Sequence, residues 1–235
     1  MSKETQVQSY WPKYLTYIRL IFGVAAIATL ALGIYNWINI DYSQANPAMH
    51  PEFLPMHVPV AASALMTYLA MGLCGLLTLF KVKYTAAIGR ALAIPGVVLC
   101  FVTLVTGSIW GKVTWQVWWS WDARLTTMLI LFFLYLGYIA ATKSFDNPVR
   151  RDQSVALLGI VGACLVPIIY GSTLWWNTLH QKPGTVMPDS IKAAFLPMLF
   201  GVMLWTIWMM LLNLQAELKA DKDMLKINDI FDTEA

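Results

Sequence analysis

The chain has 235 residues, 58% hydrophobic and 12% charged. Soluble domains carry about 25% charged residues, so this composition excludes a water-soluble globular fold and points to the bilayer. A net charge of +3 with no basic cluster argues against a nucleic-acid partner. Cys74, Cys100 and Cys164 all fall inside apolar runs and read as small hydrophobes, not as a disulfide framework.

The first dozen residues, Met1–Pro12, are polar and include Glu4, unlike a signal peptide or an arginine-rich transit peptide. Six apolar runs follow, at about Tyr17–Trp37, Val58–Phe80, Ala91–Ile109, Leu125–Ala141, Val155–Thr173 and Ala193–Leu214. Most approach the ~20 residues needed to cross a hydrocarbon core, the fourth being short at its strict edges. Only helix pairs all the backbone polar groups of such segments in lipid. The expected fold is therefore all-α: a single integral membrane domain over residues 1–235 with six transmembrane helices. Pro167 and Pro197 fall inside runs and predict kinks. The tail after Glu217 alternates in charge and predicts a short solvated helix or disorder. No GxxxxGK[ST] loop occurs, so the chain is not expected to hydrolyse a nucleotide by that mechanism.

Charge sets the orientation. Twelve basic residues fall on the side of the termini: Lys3, Lys13, Arg19, Lys81, Lys83, Arg90, Lys143, Arg150, Arg151, Lys219, Lys222 and Lys226. Four fall on the other side: Lys112, Arg124, Lys182 and Lys192. Both termini are thus expected in the cytoplasm, with outer loops at about Ile38–His57, Trp110–Arg124 and Leu174–Lys192.

Five of the eleven tryptophans crowd one outer segment, WGKVTWQVWWSWDAR, as Trp110, Trp115, Trp118, Trp119 and Trp121, followed by Asp122 and Arg124. In a helix, Trp115, Trp118, Trp119 and Asp122 would share one face, a flat aromatic plate edged by a carboxylate and able to stack on a large planar ligand. The interfacial enrichment of tryptophan accounts for one or two such residues but poorly for five within twelve. Asp122 is also well placed as an N-cap of the fourth helix, and Arg124 as a residue reaching for the interface.

All three histidines, His50, His57 and His180, fall on the outer side. His57 opens the second span in PMHVPVA, and His180 follows Trp175 and Trp176 in LWWNTLHQ, where a helix would place Trp176 and His180 side by side. Two imidazoles beside tryptophan clusters suit the axial positions of a haem iron. Without a CxxCH, any haem would be held non-covalently. His50 sits in a polar loop and reads as incidental. Zinc is a rival for these imidazoles, but no HxxxH or CxxC spacing supports it.

The run WGxxxWxxWWxWDAR, residues 110–124, resembles the WWD signature of the haem-handling membrane proteins of cytochrome c maturation. PMHVPVA and WWNTLHQ are similar to the flanking motifs of the CcmC family within that group, and the resemblance extends over roughly Tyr17–Leu214. Val60 ahead of Ala61, and Met128 after the signature, depart from the family pattern without touching the ligand candidates. The resemblance implies a multi-pass protein of the bacterial inner membrane that binds haem b at the periplasmic face. Its axial ligands would be two outer-loop histidines, here His57 and His180. The tryptophan segment, with Trp175 and Trp176, would form a platform for haem and for the haem chaperone CcmE. The implied assembly is an ABC-type complex with the ATP-binding subunit CcmA, the membrane subunit CcmB and the small membrane protein CcmD. The implied role is haem delivery and not enzymatic catalysis, with Arg124 a candidate for a haem propionate.

Other classes fit less well. A cytochrome b-type electron-transfer subunit normally carries histidine pairs inside its spans. A secondary transporter carries ionisable groups near the midplane, where this chain has no acidic residue. A purely structural ABC-complex subunit would carry no ligand.

Overall fold

The computed structural model describes residues 3–43, 45–180 and 187–233, with side chains over 14–43, 45–180 and 187–222. Six long helices carry the described chain: α1 (Lys3–Ile38), α2 (Leu54–Leu79), α3 (Thr85–Trp115), α4 (Ala123–Thr142), α5 (Pro148–Trp175) and α6 (Asp189–Thr233). Each contains a segment long and apolar enough to span a membrane, the first being Tyr14–Ile38 and the last Asp189–Lys222. The all-α, six-span expectation holds. The helices outrun the apolar runs at both chain ends: α1 begins in the polar leader, and α6 continues through the tail to Thr233. The fourth helix reaches 20 residues because Asp122 caps it three residues ahead of the apolar run. Two prolines missed among the span residues, Pro59 and Pro95, also lie inside helices, alongside Pro167 and Pro197.

In lipid, apolar side chains gain nothing by leaving solvent for one another, so helices associate through close packing and internal hydrogen bonds. The α2–α5 contact follows this rule. A Cβ added at Gly72 would lie 2.3 Å from the Ala163 Cβ, and one at Gly75 would lie 2.5 Å from the Ala156 carbonyl oxygen. The two backbones therefore approach as closely as glycine permits. At the centre, fully buried Tyr68 and Tyr135 meet edge to face, with ring centroids 4.5 Å apart. The Tyr135 hydroxyl donates to the Ala64 carbonyl at 2.7 Å and the Tyr68 hydroxyl to that of Leu158 at 3.3 Å, tying α4 and α5 to α2.

Helix α1 stands apart from this core and packs on α6. Leu20, Ile21, Val24 and Ile27 are exposed, as a lipid-facing surface requires. Near the chain ends, the Arg19 Nε donates to the Leu211 carbonyl at 3.0 Å, while at the far end Asn36 donates to the Ala193 carbonyl at 2.7 Å. The two helices are antiparallel, so the N-terminus of α1 and the C-terminus of α6 share one end of the bundle.

That end carries an ion-pair cluster. Arg90 of α3 meets Asp152 of α5 at 2.5 Å, and Glu217 and Asp221 of α6 at 2.7 Å each. Arg151 adds contacts to Asp152 at 2.9 Å and Asp221 at 2.7 Å. Arg90 and Arg151 were counted above only as orienting charges; both are buried and bind three helices together. Of the other basic residues used for orientation, Lys182 and the side chains of Lys3, Lys13 and Lys226 lie outside the described residues.

Removing one partner from a buried ion cluster strands the others, at about 3–5 kcal/mol. Because Asp152, Glu217 and Asp221 keep 26%, 32% and 28% of their side-chain surface exposed, Arg90→Gln is expected to cost about 3 kcal/mol, the lower end of that range. A lowered thermal midpoint in detergent checks this; an unchanged midpoint contradicts it.

Candidate functional site

At the opposite end of the bundle, three connections converge: residues 39–53, 116–122 and the described parts of 176–188. The first is folded down onto the helix ends. The Trp37 indole N–H donates to the Glu52 carbonyl at 2.8 Å, and that of Trp110 to the Met49 carbonyl at 3.1 Å. Phe53 stacks on Trp110, centroids 6.0 Å apart. His50 is occupied by Glu52 at 3.0 Å, in keeping with its incidental reading.

His57 sits in the first turn of α2, on a helix and not on a loop as the resemblance implies. Its Nδ1 lies 2.8 Å from the Thr106 Oγ1 of α3. That hydroxyl spends its single proton on α3's own backbone, 2.8 Å from the Val102 carbonyl and 3.3 Å from that of Thr103. With its proton on that back-bond, Thr106 accepts from the imidazole, which puts the His57 proton on Nδ1. The His57 Nε2 has no hydrogen-bond partner among the described residues. Gly107 lies beside the ring, where an added Cβ would be 3.0 Å from the His57 Cε1. Trp110 meets the imidazole edge on at 5.5 Å.

The tryptophan segment is not the helical plate that its spacing suggests. Helix α3 ends at Trp115, Gln116 turns the chain with a positive φ of 63°, and residues 117–122 are not helical. Ser108 holds the reversed strand by donating to the Trp118 carbonyl at 2.5 Å. Trp115, Trp118 and Trp119 thus do not share a helix face. Trp119 meets Trp121 edge on at 5.7 Å, and its buried indole N–H has no acceptor. Trp118 and Trp121 are exposed, as are Trp175 at the end of α5 and Trp176 just beyond it. Since α5 stops at Trp175, Trp176 and His180 are not helical neighbours either. The partner of His180 is Trp115, edge on at 5.1 Å.

Asp122 joins two of the connections. Its Oδ1 accepts from the amides of Arg124 at 2.9 Å and Leu125 at 3.0 Å, capping α4. Its Oδ2 accepts from the Thr178 hydroxyl and from the Leu179 amide at 3.1 Å. The His180 Nδ1 lies 3.4 Å from the same Oδ2 and 3.4 Å from the Thr178 Oγ1. With the Thr178 proton on the carboxylate, a proton on His180 Nδ1 faces two acceptors, and Nε2 has no hydrogen-bond partner among the described residues. Burial alone would raise the Asp122 carboxyl, but hydrogen bonds from His180, Thr178 and the Leu125 amide outweigh it and hold the group well below the usual carboxylate range.

The site thus brings both His180 and Arg124 within electrostatic reach of His57. Neither imidazole has a partner at Nε2 among the described residues. Among the described residues, no three His, Cys, Asp or Glu side chains gather as a bare metal ion would require. Two imidazoles suffice for an iron whose other four positions a porphyrin fills. The Arg124 side chain has Asp122 and Tyr170 nearby but forms no ion pair within 4.0 Å among the described residues. A guanidinium so placed fits an anionic, acceptor-bearing edge. The donor set suits haem.

Residues 3–227 match the family described as CcmC, heme exporter protein C. The chain belongs to this family. It is 37% identical to the heme exporter protein C of Escherichia coli (strain K12) over 176 residues, 73% of this chain and 70% of the relative. It is 37% identical to that of Bradyrhizobium diazoefficiens over 201 residues, 83% of this chain and 75% of the relative. It is 33% identical to that of Haemophilus influenzae over 210 residues, 84% and 83% of the two chains.

Three site residues escaped sequence reasoning: Thr106, Gly107 and Thr178. Thr106 precedes Trp110 by one helical turn, so the polar residue nearest the tryptophan on that helix face was a usable signal. Thr178 carried none, because only the folded loop brings it to Asp122.

The two functions of Asp122 are separable. Asp122→Asn keeps one acceptor oxygen for the cap, whereas Asp122→Ala loses both, costing about 1 kcal/mol for the cap alone. Hydrogen exchange is expected to quicken at the Leu179 amide in both variants, and at Leu125 only in Asp122→Ala. Because the folded-state value is depressed, the stabilisation is complete above the unfolded value of about 3.9 and lost as pH falls through the lower folded one. Leu179 protection, corrected for intrinsic exchange, should therefore stay constant from about pH 8 to about pH 5; a fall in that window contradicts the assignment.

Proposed function

We propose that this chain is the haem-holding and haem-transferring subunit of an ABC-type complex of cytochrome c maturation. It would hold haem b at the periplasmic face of the bacterial inner membrane and pass it to the chaperone CcmE. The observation that carries this reading is the pair of imidazoles, on separate elements at one end of the bundle, that both expend Nδ1 on the protein and leave Nε2 open. The excess of basic residues at the end of the termini supports the periplasmic assignment of the site.

The bound haem supplies an iron with two axial positions for nitrogen ligands. His57 meets it from a helix and is fixed in direction. His180 meets it from a loop held by Asp122 and can leave without disturbing the bundle. Trp110 and Trp115 flank the two imidazoles edge on and limit ring rotation. Arg124 would receive a propionate. Exposed Trp118, Trp121, Trp175 and Trp176 offer an apolar surface that both the macrocycle and a docking chaperone can use. No covalent step falls to this chain: the haem is cargo, and the work of release falls to the ATP-binding subunit CcmA, with CcmB and CcmD completing the assembly.

The visible spectrum of the purified complex tests this reading. His57→Ala and His180→Ala are each expected to lose the sharp low-spin bands of two-nitrogen ligation and to retain less haem. Unchanged haem content and unchanged bands in both variants would sink the ligand assignment. Absence of haem from the wild-type complex would favour a structural subunit with no ligand of its own.

A further inference from the structure

We infer that Thr106 and Gly107 of α3 are the positioning residues that make His57 a ligand, Thr106 by fixing which ring nitrogen is free and Gly107 by leaving the ring its space. The inference rests on the haem reading above and adds to it residues outside both the histidine motifs and the tryptophan segment.

Back-bonding threonines are common in this bundle. Thr67, Thr103, Thr127 and Thr206 each donate to the carbonyl four residues earlier, at 2.6–2.8 Å. Thr106 does the same toward Val102. What distinguishes it is the use of its remaining lone pairs: the hydroxyl also receives an imidazole from another helix, 49 residues away in sequence. The back-bond gives the hydroxyl proton a fixed acceptor in the Val102 carbonyl, and a hydroxyl so engaged turns a lone pair toward His57. A serine or threonine whose proton was uncommitted could serve either tautomer. Here one is selected.

The need for such a device follows from burial. An imidazole N–H left unpaired away from water costs about 1–3 kcal/mol. Without Thr106, the ring could turn its N–H toward the site and direct its lone pair into the helix, and the iron would then meet a proton. Ligating histidines generally have the second nitrogen anchored for this reason, and losing the anchor typically costs 10–100-fold in affinity. Gly107 supplies the steric half. An added Cβ 3.0 Å from Cε1, the ring carbon between the two nitrogens, forces the imidazole to shift or rotate. Trp110, one turn on, closes the cradle with its edge.

The test uses the full chain in lipid with 15N-labelled histidine, in wild type, Thr106→Val, Thr106→Ser and Gly107→Ala, with His57→Ala as the control that assigns the signal. Without haem, wild type and Thr106→Ser are expected to show His57 protonated at Nδ1 alone. Thr106→Val, similar in volume, is expected to show a mixture of tautomers. In haem titrations, Thr106→Val should bind about 10–100-fold more weakly, with Thr106→Ser restoring most of the loss. Gly107→Ala should weaken haem binding while keeping the Nδ1–H tautomer. A general packing defect would move the thermal midpoint without changing the tautomer, so the nitrogen spectrum separates the two. Should Thr106→Val fold poorly, Thr106→Ala gives the same readout. A single Nδ1–H tautomer and wild-type haem affinity in the variant lacking the hydroxyl would overturn the inference. If His57→Ala weakens haem binding and Thr106→Val does not, the inference fails while the haem reading stands. If neither weakens it, both fail.

Discussion

An imidazole can offer one nitrogen to a ligand only if something else occupies the other, and at a membrane boundary water cannot be relied on to do it. This constraint organises the end of the bundle that carries His57 and His180. His57 is held by a hydroxyl whose proton is already committed to the backbone, and His180 lies against a carboxylate that cannot donate. Both arrangements set Nδ1 against a group of the protein and leave Nε2 without a partner among the described residues, by different chemistry. The carboxylate also ties the His180 loop to the start of α4, so one side chain caps a helix and places a ligand.

The remainder of the bundle gives these groups fixed positions. Helix α3 carries Arg90 at one end and Thr106 at the other, 106 − 90 = 16 residues apart. At 1.5 Å per residue this is about 24 Å, most of the hydrocarbon thickness. The ion cluster at Arg90 pins α3 to α5 and α6, and the glycine contacts and buried tyrosines lock α2, α4 and α5 together. His57 and its anchor come from α2 and α3, two members of that core. Helix α1, packed on the outside of α6, contributes Trp37 to the loop beneath the site. A ligand geometry accurate to a few tenths of an ångström requires such a rigid frame, because neighbouring lipid supplies no directional restraint.

The fold was legible in the sequence because the bilayer leaves so few choices. Long apolar runs must be helices, and basic residues report orientation. Even so, Arg90 and Arg151 show where such counting misleads: a basic residue at a span boundary can be a buried structural ion and an orienting charge at once. The histidines and Asp122 were legible as candidates, since polar groups among tryptophans at one face stand out. The shape of the tryptophan segment was not. Its spacing satisfies a helical face, yet Gln116 adopts a left-handed turn that nothing in its residue type announces, and the Ser108 bond that fixes the reversed strand spans ten residues. Thr106 was hidden differently. A threonine in an apolar span is ordinary, and only the imidazole that meets it from α2 separates it from the other back-bonded threonines.

The two proposed ligands also differ in how they are held. His57 is part of a helix whose neighbours fill the space around its ring, so displacing it means deforming α2 or α3. His180 stands on a short irregular stretch held chiefly through the Asp122 carboxylate, with Trp115 against its ring. Breaking those bonds frees the loop without opening the core. A protein that must hold a planar cargo and then surrender it benefits from this inequality: one ligand keeps the register of the cargo while the other yields. The exposed tryptophans lie on the His180 side of that division. Trp175 and Trp176 border the His180 loop and Trp121 precedes Asp122, so a partner that engages this aromatic surface presses on the segments whose hydrogen bonds hold His180 in place.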